Sequence, residues 1–251
     1  FSLLSEVFEE KFIFHSFSSR ASKGTHLACD HLKRILYNVS QNGCKNCYAL
    51  KMDIRQFFAQ VNQRILKKLL QEVIKEKEML WLIDIIIDSF ETEGRNKIGL
   101  PLGNVTSQLF SNIYLHELDI FVKQILKQKF YLRFCDDFIF LSQDHLELLS
   151  LIPQIRSFLT NFLQLDLHPK KIILRNVNQG IDFLGYIHFF HHRLVRTTSK
   201  KRMLRKLREA SDLFFQDKLS EGSLEQTLQS YLGLLSHADQ YTLSQTIRNL
   251  C

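Results

Sequence analysis

The chain has 251 residues, of which 45% are hydrophobic and 24% charged, with 21 Phe and only three Pro. This composition excludes an intrinsically disordered protein, and the length allows one large domain or two smaller ones around a substantial core. The formal charge of +7 permits an anionic partner. It is concentrated between Arg193 and Arg208, where eight Lys or Arg residues occur without an acidic one.

Neither a membrane segment nor a metal-binding cysteine framework is predicted. The most apolar run, MLWLIDIIID, is interrupted by Asp84 and is short of the roughly 20 apolar residues that span a bilayer. No signal peptide is recognisable, and the odd number of five Cys residues favours reduced thiols in a cytoplasmic protein. Cys44 and Cys47 form a CxxC without a second pair, which favours a turn over a zinc site.

The first half of the chain is predicted to be mainly helical around one strand. The apolar spacing predicts these elements in order: a short helix to about Phe14, a helix over Thr25–Val39, the strand CYALKMDI, a helix capped by Asn62, a helix over about Glu78–Phe90, and a long helix capped by Asn104 or Thr106 that runs through about Ile125.

The second half contains the remaining strands and a helical end. FYLRFCDDFIFLS predicts a hairpin, a helix follows from about Asp144 to Leu163, and LDLHPKKIILRNVNQGIDFLGYIHFF is strand-rich. The last fifty residues begin with a basic amphipathic helix, capped by Thr198 or Ser199, whose apolar stripe comprises Leu204, Leu207, Ala210, Leu213 and Phe214. This order predicts an α+β fold with a split βαβ sheet.

Three carboxylates stand within or at the ends of apolar strands. Asp136 and Asp137 are adjacent in the predicted hairpin, and Asp53 ends the strand CYALKMDI. Each alone is typical of a strand end or turn. Together they suit two Mg²⁺ ions about 3.5–4 Å apart, because Mg²⁺ prefers oxygen ligands and two-metal sites catalyse phosphoryl transfer. The three residues are therefore the candidate catalytic set.

Five segments along the chain resemble, in the same order, the motifs of reverse transcriptases. They are MDIRQFF, GLPLGNVTSQLFSNIYLHELD, RFCDDF, HPKK and DFLGY. The resemblance implies a right-hand polymerase fold with a split-βαβ (ferredoxin-like) palm, helical fingers and a helical thumb. It implies fingers at 1–50, palm at 51–61, fingers and palm helices at 62–98, palm with catalytic hairpin and primer grip at 99–196, and thumb at 197–251.

The resemblance is closest to reverse transcriptases of diversity-generating retroelements. PLGNVTSQLFSNIYLHELD and SFSSRASKGTH carry it. Retroviral and group II intron enzymes usually have Gln before the Gly of this motif, whereas Leu102 precedes Gly103 here. The alternatives are a group II intron-like or phage-defence reverse transcriptase and, in another class, a catalytically silent RNA-binding module. The three Asp residues favour an enzyme.

The resemblance also assigns roles to residues around the reaction centre. It implies two Mg²⁺ ions, for which Mn²⁺ substitutes, held by Asp53, Asp136, Asp137 and the carbonyl of Ile54. It implies a nucleotide site with Phe58 as the gate that excludes a ribose 2′-hydroxyl. The other predicted nucleotide-binding residues are Arg20, Lys23, Leu102, Gly103 and either Lys170 or Lys171, one of which would protonate the leaving pyrophosphate.

The remaining assignments concern the nucleic acid and partner molecules. Candidate template or primer contacts are Asn104, Ser107, Gln108, Phe134, which replaces the usual Tyr, Leu184, Gly185, Lys200, Lys201 and Arg205. The resemblance implies an RNA template, a DNA or RNA primer and dNTPs as substrates. It further implies a structured template-repeat RNA and a basic accessory protein as partners, and no interaction with a membrane.

Overall fold

The computed structural model of the chain describes residues 2–90, 96–101 and 103–248. Two compact units are present, Phe1–Arg175 and Asn176–Cys251. Within the described residues, no helix is both long and apolar enough to cross a lipid bilayer.

The first unit contains seven of the described helices and a four-stranded sheet. Its elements are α1 (Ser2–Glu9), α2 (Thr25–Ser40), β1 (Tyr48–Asp53), α3 (Phe57–Gln60), α4 (Gln63–Val73), α5 (Lys77–Asp88), α6 (Val105–Ile120), β2 (Tyr131–Phe134), β3 (Asp137–Ser142), α7 (His145–Phe158) and β4 (Ile173–Asn176).

The sheet has the strand order β2-β3-β1-β4, and β3 is antiparallel to both β1 and β2. This order is the split βαβ arrangement, so the predicted α+β fold is confirmed. The central strands are almost fully buried, and α7 packs against β1 and β3 while α2 packs against β2 and β3. Large side chains such as Phe138, Phe140 and Tyr131 fill the interior, each contributing roughly 1.5–3 kcal/mol by burial.

Two helices begin where they were predicted to begin, at the predicted cap Asn62 and at the predicted first residue Asp144. Asn62 accepts hydrogen bonds from the backbone N–H groups of Arg64 and Ile65, and Asp144 accepts one from Leu146. Asn104 lies at the start of α6, but its side chain makes no capping bond, so that part of the prediction is wrong.

Two helices predicted as continuous end in wide π-helical turns. α6 is followed by such a turn over Phe121–Ile125, and α7 by another over Leu159–Leu163. The rings of Phe121 and Phe158 stack with centroids 4.2 Å apart and join these two ends. The additional residue in a wide turn changes the direction of the following side chains, which apolar periodicity alone does not reveal.

The second unit combines a three-stranded antiparallel sheet with three helices. Its elements are β5 (Ile181–Phe183), β6 (Tyr186–His188), β7 (Arg193–Val195), α8 (Thr197–Phe215), α9 (Glu221–Leu235) and α10 (Tyr241–Arg248). The hydroxyl of Tyr186 donates to the carbonyl of Leu234 at 3.1 Å, which joins the sheet to α9.

The predicted apolar stripe of α8 is wrong in part. The buried side chains are Met203, Leu207 and Ser211, whereas Leu213 is 42% exposed. α8 packs against α9, and such a tertiary contact, unlike the apolar spacing, decides which side chains of α8 are covered. The predicted cap is also wrong, because Arg196 precedes the first turn and no side chain caps it.

Candidate active site

The predicted hairpin is confirmed as β2 and β3 joined by the two residues Cys135 and Asp136. Phe134 and Asp137 are partners in the antiparallel register, so they flank the turn. Cys135 has φ of 55°, in the left-handed region that Gly adopts most easily in two-residue hairpins. The turn therefore places Asp136 at the tip and Asp137 at the first position of β3.

The strand β1 brings Asp53 to the same end of the sheet. Asp53 lies opposite Asp137 in the register, and the N–H of Ile54 donates to the carbonyl of Asp136 at 3.2 Å. Like charges directly opposite each other destabilise an antiparallel pair. The three predicted carboxylates thus lie at the same end of the sheet. The repulsion between Asp53 and Asp137 there lowers the stability of the pairing between β1 and β3.

Burial and mutual repulsion alter the acidity of the two hairpin carboxyls. Burial raises the pKa of Asp137 to about 6, although the ammonium of Lys51 opposes the shift. Burial, followed by the charge of Asp53, raises the pKa of Asp136. The Oδ1 atom of Asp137 is buried and has no hydrogen-bond partner in the described part of the chain. Carboxyl groups whose pKa is shifted by burial and by neighbouring charges cluster at functional sites.

Two lysines pair with the carboxylates. The Nζ atom of Lys51 lies 2.9 Å from Oδ2 of Asp137. The Nζ atom of Lys171 lies 2.9 Å from both carboxylate oxygens of Asp53, and this hydrogen bonding raises the pKa of Lys171. Both Lys170 and Lys171 are exposed, but it is Lys171 that contacts Asp53, so Lys171 is the better placed of the two predicted lysines.

Sequence reasoning missed Lys51, although a signal was present. Lys51 and Asp53 are two positions apart on β1, so their side chains point to the same face of the sheet. The diagonal contact with Asp137 depends on the pairing of β1 with β3, which the spacing alone does not give.

The carboxylates fit a site that is completed by substrate oxygens. Across residues 2–90, 96–101 and 103–248, no three His, Cys, Asp or Glu side chains converge closely enough to hold a metal ion by themselves. Mg²⁺ is usually bound by one or two carboxylates together with water and substrate phosphates. Asp53 and Asp136 would provide such a pair, and their predicted metal-binding roles, like that of the Ile54 carbonyl, stay predictions.

Residues 2–188 match the family model for reverse transcriptase (RNA-dependent DNA polymerase). The chain belongs to the reverse transcriptase family. Members of this family are RNA-directed DNA polymerases, which are nucleotidyltransferases. The chain is also 31% identical over 132 residues to an uncharacterized 91 kDa protein in the cob intron of Schizosaccharomyces pombe, a region covering 51% of this chain and 15% of that protein.

Solved telomerase structures share the fold of this reverse transcriptase chain. Apo telomerase from Candida tropicalis is 15% identical with a TM-score of 0.63, over 99% of this chain and 50% of that one. Telomerase from Candida albicans in complex with a TWJ fragment of telomeric RNA is 14% identical with a TM-score of 0.59, over 98% and 46%. The reverse transcriptase-like polymerase fold is confirmed, and the chain spans about half the length of these telomerases.

The gate assignment separates two neighbouring aromatic residues of the reverse transcriptase motif MDIRQFF. Phe57 is 1% exposed in the core, whereas Phe58 is only partly buried against it. Their rings meet edge to face with centroids 5.2 Å apart. Phe58 is therefore the ring with an accessible surface, as its predicted role requires, and the role itself stays a prediction.

The predicted phosphate ligands on the N-terminal loop point inward in this structure. The guanidinium of Arg20 contacts Glu9 at 2.7 Å and donates to the carbonyls of Ile13 and Ser16. The ammonium of Lys23 donates to the carbonyl of Phe14 and lies 3.6 Å from the centre of its ring. Both side chains anchor the loop here, so contact with a triphosphate would require these bonds to open and stays a prediction.

The other predicted contacts are placed as follows. Leu102 lies outside the described residues, and Gly103 is exposed with φ of 89°, a left-handed conformation that favours glycine. Gln108 is exposed and accepts a hydrogen bond from Ser19, whereas Ser107 is buried. Within the second unit, Leu184 and Gly185 form the turn between β5 and β6, and α8 carries Lys200, Lys201 and Arg205.

Proposed function

We propose that the chain catalyses RNA-directed DNA synthesis by two-metal nucleotidyl transfer. The observation that carries the proposal is the placement of Asp53, Asp136 and Asp137 at one end of a split βαβ sheet in a reverse transcriptase family member. The substrates would be an RNA template, a DNA or RNA primer and dNTPs. The test is Mg²⁺-dependent primer extension on an RNA template, with Asp136→Asn as the inactive control.

The residues divide the work of this reaction. Asp53 and Asp136 would hold the divalent ions, with the Ile54 carbonyl and Asp137 beside them. When bound, Mg²⁺ or Mn²⁺ would lower the pKa of the attacking 3′-hydroxyl and neutralise charge on the triphosphate. Lys51 keeps the Asp137 carboxylate in place, and Lys171 is close enough to Asp53 to reach a triphosphate bound there.

Sugar selection depends on Phe58 in this proposal. Phe58→Ala is expected to increase ribonucleotide incorporation relative to deoxyribonucleotide incorporation by roughly tenfold or more, because the ring no longer clashes with a 2′-hydroxyl. The measurement is the ratio of kcat/KM for UTP and dTTP on an RNA template. Phe57→Leu is the matched control in the core, and unchanged sugar selectivity in Phe58→Ala would contradict the assignment.

The basic helix α8 is proposed to contact the nucleic acid backbone. Lys201 and Arg205 are exposed. Each phosphate contact releases counterions, so Lys201→Ala/Arg205→Ala should weaken hybrid binding and reduce the slope of log K against log[salt] by about two over about 50–200 mM salt. Fluorescence anisotropy with an RNA–DNA hybrid provides the measurement. A slope identical to that of the unaltered chain, or an equal change in Lys68→Ala/Lys77→Ala, would exclude the contact.

A finer proposal is that DNA synthesis is error-prone and belongs to a diversity-generating retroelement. It is supported by Leu102 in the motif PLGNVTSQLFSNIYLHELD, since an aliphatic side chain makes no polar contact with the incoming nucleotide. A template-repeat RNA and a basic accessory protein would then be partners. The intron-encoded relative in S. pombe supports the alternative, an intron-type enzyme.

The fidelity of Leu102→Gln tests the role proposed for Leu102 in error-prone synthesis. One added hydrogen bond contributes about 1 kcal/mol, so we expect a several-fold lower error rate than for the unaltered chain. Sequencing the cDNA made on one RNA template measures the error rate. Leu102→Met is the control, because it has a similar length without polar atoms. Equal error rates in Leu102→Gln and Leu102→Met would refute the role of Leu102.

A further inference from the structure

A fully buried arginine lies directly before the catalytic turn. Arg133, on β2, has no exposed surface, and its guanidinium forms a bidentate pair with Asp119, which is also fully buried. Nε lies 2.8 Å from Oδ1 of Asp119, and Nη2 lies 2.6 Å from Oδ2. The remaining hydrogen bonds go to three other groups: the hydroxyl of Ser16 at 3.0 Å, the side-chain carbonyl of Asn112 at 3.3 Å and the backbone carbonyl of Cys135 at 3.2 Å.

These contacts join three parts of the first unit. Asn112 and Asp119 belong to α6, and Ser16 belongs to a segment that lies parallel to β2 at the edge of the sheet. The backbone of Arg133 accepts a hydrogen bond from Phe17 and donates one to His15. A single planar side chain thus connects this edge segment and α6 to the turn that carries Asp136. An ammonium group has no comparable fork of donors.

The turn itself requires support. Cys135 has φ of 55°. This backbone conformation is sterically unfavourable for a residue with a Cβ atom and is readily adopted by glycine. Residues kept in such a conformation persist when the surrounding structure over-determines them. The hydrogen bond from Nη1 of Arg133 to the Cys135 carbonyl fixes the peptide between Cys135 and Asp136.

We propose that Arg133 is a positioning residue that keeps the Cys135–Asp136 turn in its left-handed conformation and thereby directs the Asp136 carboxylate toward Asp53. The inference rests on the proposed function, since it concerns the carboxylate pair that would bind metal. It adds a role for a residue that touches neither substrate nor metal. If Arg133 had only a structural role, it would stabilise the first unit through its pair with Asp119. Substitution would then lower the stability of the fold and leave the metal affinity of the folded protein unchanged.

Three variants distinguish the two roles. Arg133→Lys keeps a charge for Asp119 but cannot reach all of its partners at once. Asp119→Asn weakens the same buried pair without touching the turn. Cys135→Gly removes the backbone strain, because glycine adopts positive φ readily, and it should compensate for the loss of Arg133 if support of the turn is its role.

Metal affinity is measured directly by electron paramagnetic resonance of Mn²⁺, with thermal denaturation as the measure of folding. A displacement of a reacting group by about 1 Å can lower a reaction rate by about 10²-fold. We expect a displaced Asp136 carboxylate in Arg133→Lys to weaken Mn²⁺ binding by roughly tenfold or more. Cys135→Gly in the same chain should restore most of the affinity. Asp119→Asn should lower the melting temperature and leave the Mn²⁺ affinity close to that of the unaltered chain.

Several results would overturn the proposal. Unchanged Mn²⁺ affinity in folded Arg133→Lys is one, and failure of Cys135→Gly to restore it is another. If Arg133→Lys does not fold, Arg133→Met/Asp119→Leu replaces the buried pair by apolar side chains, a change that often preserves stability, and the same comparison applies. The proposal would also be overturned if Arg133→Lys and Arg133→Met/Asp119→Leu both fail to fold and adding Cys135→Gly does not restore folding. Mn²⁺ binding without primer extension in the unaltered chain would refute the proposed function alone.

Discussion

The Asp53→Asn variant is expected to make DNA about 10³-fold more slowly than the unaltered chain. Asp53 is the only one of the three carboxylates on β1, and it faces Asp137 across the sheet and Asp136 at the turn. An amide keeps the shape of the side chain but loses the charge that would hold a divalent ion. The measurement is the single-turnover rate of one dNTP addition at saturating Mg²⁺.

A matched substitution separates the loss of this charge from a general effect. Asp166→Asn removes an exposed carboxylate close to the same motif, where the N–H of Arg55 donates to the backbone carbonyl of Asp166. It should retain nearly full activity. A rate for Asp53→Asn within a few-fold of that for Asp166→Asn would show that Asp53 is not part of the reaction centre.

The Lys171→Ala variant is expected to reduce kcat by roughly 10²-fold, with little change in primer binding. In the structure Lys171 is bound to both oxygens of Asp53, although its side chain is 54% exposed. It can therefore exchange this partner for a triphosphate when metal and nucleotide bind. A positioned ammonium can donate a proton to the pyrophosphate that leaves.

Two neighbouring variants define what Lys171 contributes. Lys170→Ala changes an adjacent exposed lysine and should have nearly full activity. Lys171→Arg keeps the positive charge but cannot release a proton near neutral pH. We therefore expect Lys171→Arg to be almost as slow as Lys171→Ala if Lys171 acts as an acid. Full activity in Lys171→Arg would show that Lys171 acts only through its positive charge. A loss of activity in Lys170→Ala equal to that in Lys171→Ala would contradict the preference for Lys171 over Lys170.

Much of the catalytic end of the sheet could be predicted because its signals are local. The apolar runs around Asp53 and Asp137 identify the strands, and the two-residue turn at Cys135–Asp136 follows from adjacent strands with no intervening loop. The split βαβ order follows from the alternation of strands and helices. These features require no knowledge of which side chains meet across the fold.

The features that could not be predicted depend on contacts between distant residues. Arg20 had the residue type of a phosphate ligand, but its partner Glu9 on α1 becomes visible only when the helix is placed. The contact between Lys51 and Asp137 could be predicted only from the register of β1 and β3. The buried pairing of Arg133 could not be predicted, because its partner Asp119 lies on a helix. For α8, the buried face depends on packing against α9, so Ser211 is buried and Leu213, which was predicted to be in the apolar stripe, is exposed.

The central claim is that the three carboxylates form a metal-dependent polymerase site. Primer extension on poly(rA)/oligo(dT) with dTTP and Mg²⁺ tests it most directly, with Asp136→Asn assayed beside the unaltered chain. We expect extension by the unaltered chain, its loss on chelation of Mg²⁺, and none above background by Asp136→Asn. Failure of the unaltered chain to extend the primer, or equal extension by Asp136→Asn, would contradict it.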